Sequence, residues 1–409
     1  MSLSHSRASN AIGLAIIAAL AVMVAMANWR DAHRRRDTAV TPIGTPGAPT
    51  TSRAELAQRV NDMDARLAAH PDDAGAAMLL ADALLRQTRV LGNPGLAVRA
   101  ERVLARVLSG DPSNYDANRL LGALYLSQHR FREAVTAGEK NRDAQPYDPV
   151  NYGVIGDGHL ELGEYDAAFD AYDRMMALRP SAAAYARVAY ARELQGNLAG
   201  ALESMRLAAD ATGADDPEAR AWAHAQMGDL YVQLDKRYEA KQAYSAASHA
   251  FPGHPFAVVG YARVIAAEGD LGGALTLLQR LAEASPTPDL AARIGDLLER
   301  TGRHAAAERQ FALAESGWRA DAPEPKNLAR FLVDHDRKIA DAIAIAEKAA
   351  SERHDIFTED ALAWAYFKAG RIEDARSSIA LALRTGTRDR DIRAHAAAIG
   401  AAAPRVASR

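Results

Sequence analysis

The sequence predicts an all-α protein: a solenoid of stacked helical hairpins, preceded by one hydrophobic helix. Three observations carry this expectation. Prolines recur at a fixed step, with Pro112, Pro146 and Pro180 spaced 34 residues apart and Pro252 and Pro286 repeating that step. Alanines keep the same beat at Ala134, Ala168, Ala201, Ala240, Ala274 and Ala307. Between the prolines, apolar residues fall at helical spacing in two runs per period.

From the N-terminus, residues 1–10 read as a short tail and 11–29 as a membrane-crossing helix. No residue from Ala11 to Ala27 is charged. As a helix this run reaches about 27 Å, enough for a bilayer core, and Trp29 sits where an interfacial aromatic belongs. Residues 1–36 carry a net +4 and the remaining residues −7, so a basic leader precedes a mildly acidic body. Two membrane readings stand side by side. One is a single-pass anchor. The other is a signal peptide cleaved after Ala27, since Ala25-Met26-Ala27 has the small-x-small pattern. Arg30, Arg34, Arg35 and Arg36 lean the array toward the cytoplasm. Residues 30–53 continue as a Thr/Pro/Gly-rich tether of the kind common on exported proteins, which leans the other way.

A capping helix is expected over 54–73, the repeat array over 74–387, and a C-terminal capping helix and tail over 388–409. In residues 115–146, Leu120, Leu121, Leu124 and Tyr125 mark a first helix, His129-Arg130-Phe131 the turn, and the stretch to Pro146 a second helix. Proline cannot continue a helix and so marks the border between units. Gly122 and Gly156 in first helices, with Ala134 and Ala168 in second helices, fall where two backbones must approach closely. Tyr125, Tyr172, Tyr244 and Phe311 fill the spaces between units. A GNPG stretch lengthens the unit at 74–112, a GADDPEA spacer precedes Ala221, and the unit near 323–353 is degenerate.

This pattern resembles the tetratricopeptide repeat. The unit from Ala221 supplies Met227-Gly228, Tyr231, Ala240, Tyr244, Ala247 and Pro252. The unit from Pro288 supplies Gly295, Leu298, Ala307, Phe311 and Ala314, and the unit from Ile356 supplies Leu362-Ala363, Tyr366, Gly370, Ala375 and Ala382. The resemblance implies about eight repeats in a right-handed superhelix, with first helices lining a concave face that accepts a peptide or helix of a partner protein. Mapped onto this chain, the family's groove positions are Arg119, Asp157, Glu161, Tyr190, Glu193, Trp222, Asp229, Phe256, Arg263, Asp296, Glu299, Asp360 and Trp364. Acids outnumber bases and aromatics are interleaved, so the expected ligand combines Lys or Arg with apolar anchors. The family's carboxylate clamp is missing, because its positions five and nine hold Arg119 and Ala123, then Gly153 and Asp157.

Little sequence remains for catalysis. The chain has no cysteine, which excludes disulfides, thiolate metal sites and a cysteine nucleophile. No phosphate-binding loop, HExxH or GxSxG motif occurs. Gly156-Asp157-Gly158 resembles a phosphate loop but falls inside a first helix. His129 and His304 fall at turns, and His159 takes a packing position. No cofactor and no metal site are expected. The only basic cluster, around His33, would meet lipid headgroups and not nucleic acid. The sequence therefore reads as a membrane-tethered, non-catalytic scaffold for which self-association is possible. The alternative is an enzyme, or enzyme subunit, with a site hidden in the concave face.

Overall fold

The computed structural model describes residues 52–213, 216–320 and 325–402, all within the compact unit Gly47–Arg409. The expected tail, membrane-crossing helix and nearly all of the tether lie outside them. Among the described residues all regular structure is helical, and no helix is long and apolar enough to cross a membrane.

A leading helix, α1 (Arg53–Ala69), is followed by nine hairpins and a closing helix. The hairpins pair α2 (Ala74–Leu91) with α3 (Pro94–Gly110), α4 (Tyr115–Ser127) with α5 (Phe131–Ala144), and α6 (Pro149–Leu162) with α7 (Tyr165–Leu178). Next come α8 (Ala182–Leu194) with α9 (Leu198–Ala211), α10 (Pro217–Gln233) with α11 (Arg237–Ala250), and α12 (Pro255–Ala267) with α13 (Leu271–Ala284). The last three are α14 (Pro288–Arg300) with α15 (His304–Ala320), α16 (Pro325–Asp334) with α17 (Ile339–Glu352), and α18 (Ile356–Lys368) with α19 (Ile372–Ala382); α20 (Arg390–Ala401) closes the array. The sequence led to about eight units, and the described residues form nine. Even the degenerate stretch pairs its two helices, because α16 still buries Leu328, Ala329, Phe331, Leu332 and Val333. The GNPG insertion is only a tight corner: Gly92 turns in the left-handed region and Asn93 caps α3.

Local chemistry sets the borders. Pro149, Pro217, Pro255 and Pro288 open first helices where an amide hydrogen is not needed. Asn114, Asp148, Asp216 and Thr287 accept from first-turn amides. Short connections make each hairpin antiparallel, and several first helices also touch the first helix of the next hairpin.

The small residues do what their spacing implied. Ala134, Ala168, Ala201, Ala240, Ala274 and Ala307 are all fully buried. A Cβ on Gly156 would lie 2.4 Å from the Tyr172 ring, and on Gly295 2.4 Å from the Phe311 ring. Tyr244 lies between two such positions: a Cβ would meet its ring at 2.4 Å from Gly228 and at 2.2 Å from Gly260. One aromatic ring thus sets the spacing of two successive first helices.

The array also returns on itself. At the N-terminal side Arg89 pairs with Glu218, and the Ser285 hydroxyl donates to the Leu91 carbonyl. The Glu218 carboxylate is buried, but Arg89 and His254 outweigh that burial and hold it down at about 2. At the C-terminal side, residues of α6 to α8 share one apolar cluster with α18 to α20, including Tyr165, Leu194, Ile356, Ile379 and Ile392.

Ala240→Leu should force α10 and α11 apart. The expected cost is about 1–3 kcal/mol from overpacking. Hydrogen exchange should accelerate in α10 to α13 and stay at its original rate in α4 and α5.

Candidate partner-binding face

The residues singled out from the sequence sit mainly on the first helices, and most are already paired within the chain. Asp157 accepts from the Tyr172 hydroxyl at 2.9 Å and from Arg187 Nε and Nη2 at 2.8 and 2.6 Å. Asp229 repeats the arrangement two hairpins later, with Tyr244 Oη at 2.8 Å and Arg263 Nη2 at 2.5 Å. Each trio ties a first helix to its own second helix and to the first helix of a following hairpin. Asp296 meets His335 Nε2 at 2.9 Å, and Asp360 meets His395 Nδ1 at 2.9 Å. Burial works against charge on His335, but Asp296 and the Phe331 carbonyl outweigh it and raise its pKa. In the C-terminal half, histidine therefore takes the place that arginine holds earlier.

The remaining positions divide in the same way. Arg119 is buried against Asp148 at 2.9 Å, and Glu161 lies 3.6 Å from Arg353. Glu299 pairs with His304 at 2.7 Å. Trp364 donates to Asp334 at 2.9 Å and stacks on His395 with ring centres 4.1 Å apart. Trp222 packs against the α8–α9 cluster, while Phe256 stands exposed. Gly156-Asp157-Gly158 lies within α6, His129 occupies the turn after α4 at φ 58°, and His159 leans on Glu164.

Four of the positions converge. Tyr190, Glu193, Asp229 and Arg263 line one cleft of about 470 Å³, closed on one side by Asp389, Arg390 and Asp391 at the start of α20. Glu193 accepts from Gln233 Nε2 at 2.5 Å. Burial pushes its carboxyl up to about 7; the Gln233 hydrogen bond works against that rise, and Asp229 and Asp389 add to it. Burial likewise raises Asp389, with Asp391 and Asp360 adding to it. Tyr190 is raised well above its ordinary value, first by burial and then by Glu161 and Glu193. Formal charge in the cleft favours acids, with Glu193, Asp229, Asp235, Asp389 and Asp391 facing Arg237, Arg263 and Arg390. Among the described residues, no group of three or more His, Asp or Glu side chains is arranged to hold a metal ion.

Sequence reasoning missed Arg187, His335 and His395, the partners that consume the acidic stripe, and the contribution of α20 to the cleft. A usable signal was present. Asp157–Arg187, Asp229–Arg263 and Asp360–His395 are separated by 30, 34 and 35 residues, close to one repeat length. Acid–base pairs at that step are candidates for joints between neighbouring first helices.

Because the Glu193 pKa is higher folded than unfolded, its ionisation opposes folding as pH rises from about 4.5 toward 7. Glu193→Gln should therefore raise the melting temperature at pH 8, and the gain should shrink toward pH 4. Thermal melts across that range check it.

Residues 91–149, 154–217 and 226–289 match a family model described as the tetratricopeptide repeat. No curated protein matches the sequence. Solved structures resemble the fold at low identity. The crystal structure of the APC/C hetero-tetramer Cut9–Hcn1 aligns with TM-score 0.53 and 14% identity, over 85% of this chain and 60% of that one. The chain therefore spans less than two thirds of that relative. The human IFIT1 dimer with PPP-AAAA aligns with TM-score 0.52 and 15% identity, over 77% and 72%. The human IFIT1 dimer with m7Gppp-AAAA gives TM-score 0.53 and 15% identity, over 80% and 76%. Three stretches of the chain match the tetratricopeptide repeat, and its likeness to these structures is one of fold.

Proposed function

We propose, from the tetratricopeptide-repeat match over three stretches and the hairpin fold, that the chain is a non-catalytic interaction scaffold. In this reading it holds an extended segment of a partner protein against its first-helix face. The cleft between Tyr190, Glu193, Asp229 and Arg263 is the centre of recognition, and the observation that carries the reading is their convergence from three successive hairpins. A side chain bearing Lys or Arg fits the acidic surplus, and Tyr190, Val232 and Val264 offer apolar contact beside it. The enzyme alternative has one observation in its favour, since ionisable groups do converge here. Against it, Asp229 is committed to Tyr244 and Arg263, and Glu193 to Gln233, so these acids act as joints of the scaffold.

Residues 11–29 tether the scaffold to a membrane in this proposal, supported by the uncharged run Ala11–Ala27 and the arginines that follow it. The arginine cluster supports a cytoplasmic array, and the Thr/Pro/Gly-rich tether supports an exported one. Protease added to intact cells should leave a cytoplasmic array whole; cleavage within it would place it outside.

Binding is tested with labelled Lys/Arg-rich peptides carrying apolar residues, measured by fluorescence anisotropy on the full chain in detergent. A cation prefers ionised Glu193, so affinity should climb several-fold between pH 6 and pH 8. Glu193→Gln should flatten that climb. Equal binding of acidic and basic peptides would remove the reading.

A further inference from the structure

The C-terminal hairpins meet the middle hairpins along a seam built from both main chain and side chains. The His354 amide donates to the Leu162 carbonyl at 3.1 Å, and the Ile356 amide to the Tyr165 hydroxyl at 2.8 Å. Arg384 donates to the carbonyls of Gly163 and His354, and Arg132 to that of Glu352 at 3.2 Å. Arg353 lies 3.6 Å from Glu161 and places its guanidinium 5.3 Å from the centre of the Phe131 ring. Ile356 is fully buried. The corner Arg353–Ile356 thus presents a cation and an apolar anchor to the α4–α5 and α6–α7 turns. Arg390 reaches Asp235 at 3.3 Å across the cleft.

The occupant has the chemistry expected of a partner segment, but it belongs to the chain itself. Resting on the groove reading above, we infer that the C-terminal hairpins are an autoinhibitory latch: Arg353 holds Glu161 at the edge of the partner-binding face, the start of α20 lines its cleft, and both must swing away before a basic, apolar segment docks. The α16–α17 turn holds two non-glycine residues in the left-handed region, Asp336 at φ 51° and Lys338 at φ 43°. The seam is also incompletely packed, with a cavity of about 240 Å³ between Phe131, Leu162, Glu352 and Arg353.

Two glycines supply a matched test. Gly163 and Gly302 both turn in the left-handed region, at φ 81° and 74°. A Cβ on Gly163 would lie 2.5 Å from the His354 carbonyl, whereas one on Gly302 meets nothing within 4 Å. Gly163→Ala and Gly302→Ala therefore share the backbone cost, and only the first strains the seam. Arg384→Ala opens the seam without a backbone cost and serves if Gly163→Ala fails to fold.

In the full chain, amide exchange of residues 354–356 should accelerate at least tenfold in Gly163→Ala and Arg384→Ala relative to Gly302→Ala. Exchange in α12 and α13 should not change. A labelled synthetic peptide of residues 349–361 should bind both seam variants at least tenfold more tightly than the original chain. Exchange matching that of Gly302→Ala overturns the latch, and so does faster exchange without a gain in peptide binding. Failure of the Lys/Arg-rich peptides to bind even the opened variants sinks the groove reading separately, leaving the 349–361 peptide to judge the seam.

Discussion

A single ring illustrates the constraint on which the rest of the molecule depends. Tyr244 projects from α11 and packs against Gly228 of α10 and Gly260 of α12, while its hydroxyl donates to Asp229. Asp229 in turn takes Arg263 from α12. No hairpin can bury its apolar flank alone, so the fold exists only where such joints bring the next hairpin within reach. Glycine is required because the ring occupies the space a Cβ would need, and the acid is required because a buried phenol hydroxyl needs an acceptor. Around Phe311 the same site lacks a hydroxyl. There Asp296 turns to His335, whose ring packs 4.4 Å from that of Phe311.

That constraint explains what could be read in the sequence. The period, the small residues and the border prolines are imposed by backbone approach, which one residue type at one position satisfies, so they stand out in a single chain. The fate of the acids does not stand out. Asp157 looks like a ligand-facing charge until Arg187 is placed beside it, and that placement depends on the rotation between two hairpins. The return of the array onto itself is less local still. It sums the placement of many hairpins, and no single residue announces that Gly163 will meet His354. The apolar segment at 11–29 was legible as composition alone, and it lies outside the described residues.

The seam also alters how stability is shared. In an open array each hairpin depends on its neighbours only, and damage stays local. Here Tyr165 and Ile356 belong to one cluster although nearly two hundred residues separate them. Closing so long a loop costs more entropy than a local contact, though the cost grows only slowly with length. Once made, the closure couples hairpins two to four with eight and nine. Losing the seam therefore removes protection from both ends of the coupled block, while the central joint at Tyr244 keeps its own partners.

On the proposed reading, recognition on this face works by exchange. The acidic stripe is largely neutralised from within, so it exerts little long-range pull on a basic ligand, and exposed pairs are screened within about a Debye length. An incoming cation at Asp229 must displace Arg263, and at Glu161 it must displace Arg353. Trading one guanidinium pair for another changes the energy little, because the carboxylate is desolvated in both states and satisfied in both. The net gain must then come from what the internal partner lacks: apolar contact beside Tyr190, and relief of the strained turn at Asp336 and Lys338. A partner that brings charge without an apolar anchor gains nothing over the chain's own arginines, and selectivity for a segment carrying both follows from that balance.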